Sequence, residues 1–260
     1  MKPLALITGA SSGIGRELAK RFAAGGHDLI LTARRAEELN TLATEVSQEH
    51  GVTCHVFPHD LSSPASPQQL FDKVTDANLV VDVLVNNAGF GQYGPFLESD
   101  PTRLLQMLQV NMLALTHLTR LFLPDMVLRK HGRILNVAST AAFQPGPQMA
   151  GYYATKAYVL SLSEALSYEL RQSGVTVTCL CPGPTRTEFV ANAALEGSKL
   201  FHSPGVEVAP VAEAAFWATL RGQRVVVPGF RSRVNAFFGC HLPRWLVLRI
   251  VDRIQEQREH

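Results

Sequence analysis

A short apolar run at residues 3–8 passes straight into Gly9-Ala10-Ser11-Ser12-Gly13-Ile14-Gly15 and then into a helical pattern lasting to about Ala24. This stretch constrains the fold more than any other. An apolar run of that length reads as a strand buried on both faces. Glycines at a strand-to-helix turn let another group approach the main chain closely. The helix that follows aims its first amides, and the positive end of its dipole, at that group, which suits a phosphate. The spacing is G-x-x-x-G-x-G, which differs from the usual G-x-G-x-x-G fingerprint. Gly9, Ser11, Ser12, Gly13, Ile14 and Gly15 are therefore candidate contacts to a dinucleotide, and Gly25-Gly26 ends the helix.

The same strand-then-helix unit recurs. Strands are expected at residues 28–33, 52–57, 82–85, 133–138, 175–181 and 225–227, with helices over about 35–49, 66–77, 101–130, 151–172 and 211–220. Such alternation predicts an α/β fold: a Rossmann-like, doubly wound, mostly parallel sheet of about seven strands with helices on both faces. Ligands of such sheets bind beyond the carboxyl ends of the strands. That rule gathers Asp60-Leu61 and Asn86-Asn87-Ala88-Gly89 beside the glycine turn. Asp60 can accept from an adenine amino group or simply form a turn. Ala88-Gly89 permits close cofactor approach or marks an ordinary tight turn. Where an acidic residue would hold the ribose hydroxyls of NAD, the chain has Ala33 followed by Arg34 and Arg35. Guanidinium forks suit a 2′-phosphate, so the pair points to NADP, with a simple strand cap as the plainer alternative.

The long helix over 101–130 contains Asn111, a costly residue in a helix interior, which implies a polar partner, either structural or part of a proton relay. His131-Gly132 is expected to end that helix. The strand at 133–138 then delivers Ser139 to the carboxyl edge. Tyr152 and Lys156 lie four apart at the start of a helix and share one face. A nearby ammonium would lower the phenol's pKa and make it a better proton donor and acceptor. Tyr153 is about 100° away around the helix and reads as packing. Phe143, Pro145, Pro147 and Met149 lie between Ser139 and Tyr152 and are expected to make an apolar mouth, pointing to a lipophilic ketone, aldehyde or acyl-type substrate.

Composition narrows the classes. Hydrophobic residues make up 46% and charged residues 18% of 260, which suits one well-packed globule. A net charge of +2 does not call for nucleic acid, and no apolar run is long enough to span a bilayer. Cys54, Cys179, Cys181 and Cys240 form no metal-ligand spacing and read as free buried thiols of a cytoplasmic protein. No metal site is expected. Residues 1–230 are read as a single catalytic domain and 231–260 as a basic amphipathic helical extension. That extension holds six of the 24 Lys and Arg but three of the 22 Asp and Glu. Pro243 can open a helix over 242–254 with Leu246, Val247, Ile250, Val251 and Ile254 on a broad apolar face. Docking on the body or on a second subunit is the commoner use of such a face. A membrane interface is another, and closing the substrate pocket a third.

These markers together resemble a short-chain dehydrogenase/reductase of the compact single-domain kind. They are Thr8-Gly9-x-x-x-Gly13-Ile14-Gly15, Asp60-Leu61, Asn86-Asn87-Ala88-Gly89, Asn111, Ser139, Tyr152-x-x-x-Lys156 and Pro182-Gly183, spread over roughly residues 3–230. The resemblance implies Tyr152 as general acid/base, Ser139 polarising the carbonyl, and Lys156 holding the nicotinamide ribose. It implies Asn111 anchoring a relay water, and Pro182, Gly183, Thr185 and Thr187 lying over the nicotinamide, followed by a lid at 188–208. The expected activity is NADP(H)-dependent interconversion of a carbonyl and an alcohol. A protein that binds NADP without turnover is the alternative. The resemblance also implies a homodimer or homotetramer formed through helices 101–130 and 151–172.

Overall fold

The computed structural model describes residues 2–185 and 207–255. Seven parallel strands form one sheet: β1 (Leu4–Thr8), β2 (Asp28–Thr32), β3 (Cys54–Val56), β4 (Val83–Asn86), β5 (Gly132–Val137), β6 (Val175–Leu180) and β7 (Val225–Val226). Their order is β3-β2-β1-β4-β5-β6-β7. The order reverses between β1 and β4, so the crevice that takes ligands in such sheets opens above their carboxyl ends.

Alternate residues of β1 feed opposite cores. Ala5 and Ile7 pack with Leu18 and Phe22 of α1 (Gly13–Ala24), with Leu39 and Leu42 of α2 (Ala36–His50), and with Phe216 of α7 (Val208–Leu220). Leu4 and Leu6 pack on the other face with Leu70 of α3 (Ser66–Asp76) and with Leu118 and Phe122 of α5 (Leu115–Leu128). Val159 and Leu160 of α6 (Ala150–Glu169) bury against Cys179 and Cys181. The doubly wound expectation holds.

Three expectations are corrected. The helix over 101–130 is not continuous: α4 (Pro101–Leu108) and α5 are joined by a π-helical turn at Gln109–Ala114. Asn111 lies in that wide turn, its Nδ2 donating to Phe90 O at 2.9 Å and its Oδ1 accepting from Phe90 N at 3.1 Å. The helix ends at Leu128, and the chain reverses at Lys130 in the left-handed region (φ 53°). Gly132 already belongs to β5, where a Cβ would meet Met126 at 2.6 Å. The thiols are not uniformly buried: Cys179 and Cys181 are, Cys54 is half-buried and Cys240 is exposed.

The tail forms two helices, α8 (Phe230–His241) and α9 (Arg244–Gln255). Pro243 opens α9, its carbonyl accepting from Val247 N at 3.1 Å. Val247 and Val251 bury against Met107, Met149, Tyr152 and Tyr153, so the apolar face docks on the body. Among the described residues no helix is long and apolar enough to cross a membrane. Thr187 and nearly all of the stretch at 188–208 lie outside the described residues.

Phe22 ties α1 to α7, fully buried and edge-on to Phe216 with ring centroids 5.1 Å apart. Phe22→Ala is expected to cost about 3–5 kcal/mol of stability, read from the shift of a urea unfolding curve at constant slope.

Candidate active site

The carboxyl ends of the central strands open onto a cavity of about 660 Å³, a size suited to small-molecule ligands. All but three of the sequence-predicted site residues line it. Gly15 and Asn111 stand behind its wall, and Thr187 lies outside the described residues.

One end of the cavity is built around the glycine turn. Thr8 Oγ1 accepts from the amides of Asn87 at 2.9 Å and Ala88 at 3.0 Å and donates to Val85 O at 3.2 Å. The side-chain amide of Asn87 donates to Thr8 O at 2.9 Å and Gly9 O at 3.2 Å. These bonds join the ends of β1 and β4. Gly9 holds a left-handed φ of 66°, and a Cβ there would sit 2.9 Å from Ala88 Cα. A Cβ at Gly15 would strike Gly9 O and Asn87 Nδ2, so only glycine lets the helix start pack this closely on the turn. Ser12, at the start of α1, makes no side-chain cap, which leaves the first helical amides available to an anion.

Beyond the glycine turn, Arg34 and Arg35 line the cavity, and Arg35 Nη2 reaches Ser11 Oγ at 3.4 Å. Asp60 Oδ1 accepts from Ser62 N at 3.0 Å, so its carboxylate forms a turn as well as facing the cavity. Thr32, at the end of β2, is buried and lines the cavity, and its Oγ1 has no hydrogen-bond partner among the described residues. A glycine cradle, uncapped helix amides, two guanidinium groups and an orphaned hydroxyl together fit a phosphorylated dinucleotide.

At the cavity's centre, β5 delivers Ser139 and the first turn of α6 delivers Tyr152. The two side chains share a hydrogen bond. Burial pushes the phenol well above its ordinary value of 10, against the pull of Ser139. Lys156 Nζ donates to Val137 O at 2.9 Å and lies 5.7 Å from the Tyr152 ring centroid. Burial lowers the lysine from 10.5 to about 8. The expected lowering of the tyrosine by the lysine is therefore corrected: desolvation penalises both charges, and it dominates each group. Asn111 Nδ2 also donates to Thr155 Oγ1 at 3.1 Å, which in turn donates to Tyr152 O at 2.7 Å. Asn111 thus fixes the start of α6 relative to the loop at Phe90.

The other end of the cavity corrects the expected mouth. Of Phe143, Pro145, Pro147 and Met149, Met149 alone lines it, while Phe143 packs with Ala142 and Tyr158 beside Leu160. The apolar wall comes from the tail: Phe238, Leu242, Val247, Ile250, Val251 and Ile254. The amphipathic spacing over 246–254 carried that signal, with the pocket among the destinations it left open. Gln255 and Gln144 went unread in the sequence, and both line the cavity. Tyr153 is packed as expected, yet its hydroxyl is engaged by Gln255.

Known proteins agree with this geometry. The family model described as short chain dehydrogenase matches residues 3–196. The uncharacterised oxidoreductase YvrD of Bacillus subtilis (strain 168) is 37% identical over 189 residues, covering 73% of this chain and 71% of that protein. A short-chain dehydrogenase from Sphingobium yanoikuyae, solved in complex with NADPH, superposes with a TM-score of 0.83 at 33% identity, covering 99% of this chain and 98% of that one. The bulky-bulky ketone specific alcohol dehydrogenase from Comamonas testosteroni gives a TM-score of 0.78 at 32% identity over 90% of each chain. The chain belongs to the short-chain dehydrogenase family, oxidoreductases that interconvert alcohols and carbonyls.

Proposed function

We propose that the protein is an NADPH-dependent reductase of a bulky, lipophilic ketone or aldehyde, with Tyr152 as the proton donor. One observation carries the reading. Ser139, Tyr152 and Lys156 meet in one cavity between a glycine cradle and an apolar wall drawn from α8 and α9. Arg34 and Arg35 at the cradle's far end support NADPH over NADH. The NADPH bound to the Sphingobium relative and the bulky ketones of the Comamonas relative support the cofactor and the substrate class.

The glycine turn, Arg34, Arg35 and Lys156 would hold the cofactor, which would supply the hydride. The chain's own residues handle the oxygen. Tyr152 and Ser139 offer two donors to an oxygen on which negative charge develops. A phenol held above its ordinary pKa stays protonated at neutral pH, which suits an acid and hence reduction. Lys156, lowered to about 8, carries a readily exchanged proton at the same depth and can restore the phenol. Asn111 positions α6 through Thr155, and Gly183 packs so closely on Ser232 that the segment after β6 is held against α8. The apolar wall keeps water from the reacting carbon.

We further propose that the chain pairs through α4, the π turn, α5 and α6, where Leu105, Leu113, Leu128 and Tyr168 are exposed. Sedimentation equilibrium is expected to give a dimer or tetramer, and a monomer at micromolar concentration would exclude it.

Steady-state oxidation of NADPH and NADH across a panel of ketones and aldehydes tests the main reading. Turnover is expected with NADPH in preference to NADH. Tyr152→Phe is expected to lower kcat by about 10²-fold or more, and Tyr153→Phe far less. Wild-type turnover in Tyr152→Phe would refute the assignment.

A further inference from the structure

Gln255, the last residue of α9, is anchored at both its main chain and its side chain. Its carbonyl accepts from Tyr93 Oη at 2.6 Å, and its Nε2 donates to Tyr153 Oη. The residue is 1% exposed and lines the cavity, yet its Oε1 has no hydrogen-bond partner among the described residues. An amide oxygen buried without a partner costs about 1–3 kcal/mol. Its neighbours on the same wall, Val247, Val251 and Ile254, show that the helix fills this space with aliphatic residues elsewhere. Tyr153, which holds the amide, packs edge-on to Tyr152 with ring centroids 6.2 Å apart. Gln255, Tyr153 and Tyr152 therefore line the same cavity.

We infer that Gln255 Oε1 recognises a second polar group of the substrate, a hydroxyl or amide N–H carried a few bonds from the reacting carbonyl on an otherwise lipophilic skeleton. The inference rests on the carbonyl-reductase reading and narrows its substrate class. The Tyr153 hydroxyl takes the Nε2 donor, which leaves the acceptor end of the amide for the ligand. A substrate that only accepts, such as an ether, cannot pair with that oxygen. A hydroxyl of the same shape can. Discrimination of this kind exceeds what an added methyl group produces in an apolar pocket, because the unmet partner belongs to the protein.

The test compares aryl ketones bearing a hydroxymethyl group at successive ring positions with their methyl ethers, each assayed with NADPH. At the best position wild-type kcat/KM is expected to favour the alcohol by about tenfold or more, carried mainly by KM. Gln255→Met is expected to bring that ratio close to one, and Gln255→Glu, which keeps an acceptor, to retain it. The ratio is taken within each enzyme, so a general loss of folded protein does not move it. Should Gln255→Met fail to fold, Tyr153→Phe, which frees the amide but leaves it in place, is expected to lower the preference by about threefold. Equal kcat/KM for alcohol and ether at every position in wild type, or a preference that survives Gln255→Met, overturns the inference alone. Turnover of neither ketone sinks the carbonyl-reductase reading, and this inference with it.

Discussion

The site depends on the clasp between Thr8 and Asn87. Four hydrogen bonds pass between these residues and their immediate neighbours where the strand order reverses, and a fifth ties Thr8 Oγ1 to Val85 O. Parallel strands splay at this point, and their terminal amides and carbonyls would otherwise need water or a ligand. The clasp satisfies them internally. It holds Gly9 in its left-handed conformation under Ala88 and leaves the amides of α1 pointing into the cavity. From there the bonds continue through the loop to Phe90, to Asn111, to Thr155 and so to the main chain of Tyr152. The glycine turn and Tyr152, contributed by distant parts of the chain, are thus linked through the loop at Phe90 and the hydrogen bonds of Asn111 and Thr155.

Burial sets the electrostatics at Tyr152 and Lys156. Lowering Lys156 from 10.5 to about 8 corresponds to roughly 3 kcal/mol against its charged form. Its Nζ hydrogen bond is to Val137 O, a carbonyl, which orients the ammonium without neutralising it. The same desolvation keeps the phenol protonated. Burial moves the two proton affinities apart, Tyr152 upward from 10 and Lys156 downward from 10.5 to about 8, which favours the two neutral forms over a permanent ion pair. Under the proposed function, a persistently protonated Tyr152 suits a reduction.

Much of this was legible in the sequence because it is local. Buried parallel strands read as apolar runs, and glycine at a strand-to-helix turn has few other uses. A tyrosine and lysine four apart share a helix face whatever surrounds them. The missed features are those decided by long-range partners. The π turn at Gln109–Ala114 follows the engagement of Asn111 by Phe90 and Thr155, neither of which its own stretch specifies. The substrate wall was visible as an amphipathic pattern, but no periodicity says which surface it covers. Gln255 meets Tyr153 across 102 residues, and a lone glutamine at a helix end carries no pattern. The electrostatic expectation failed for a related reason: proximity of Lys156 was read from spacing, whereas the depth of burial, which outweighs it, is a property of the whole fold.

The central claim is that Tyr152 is a buried donor that remains protonated well above neutral pH. Ultraviolet difference titration of tyrosine ionisation, comparing the wild-type protein with Tyr152→Phe, tests it most directly. Below pH 10 the two curves should coincide, with no phenolate signal assignable to Tyr152. A phenolate that appears with a midpoint near neutral pH in wild type and is absent from Tyr152→Phe would contradict it.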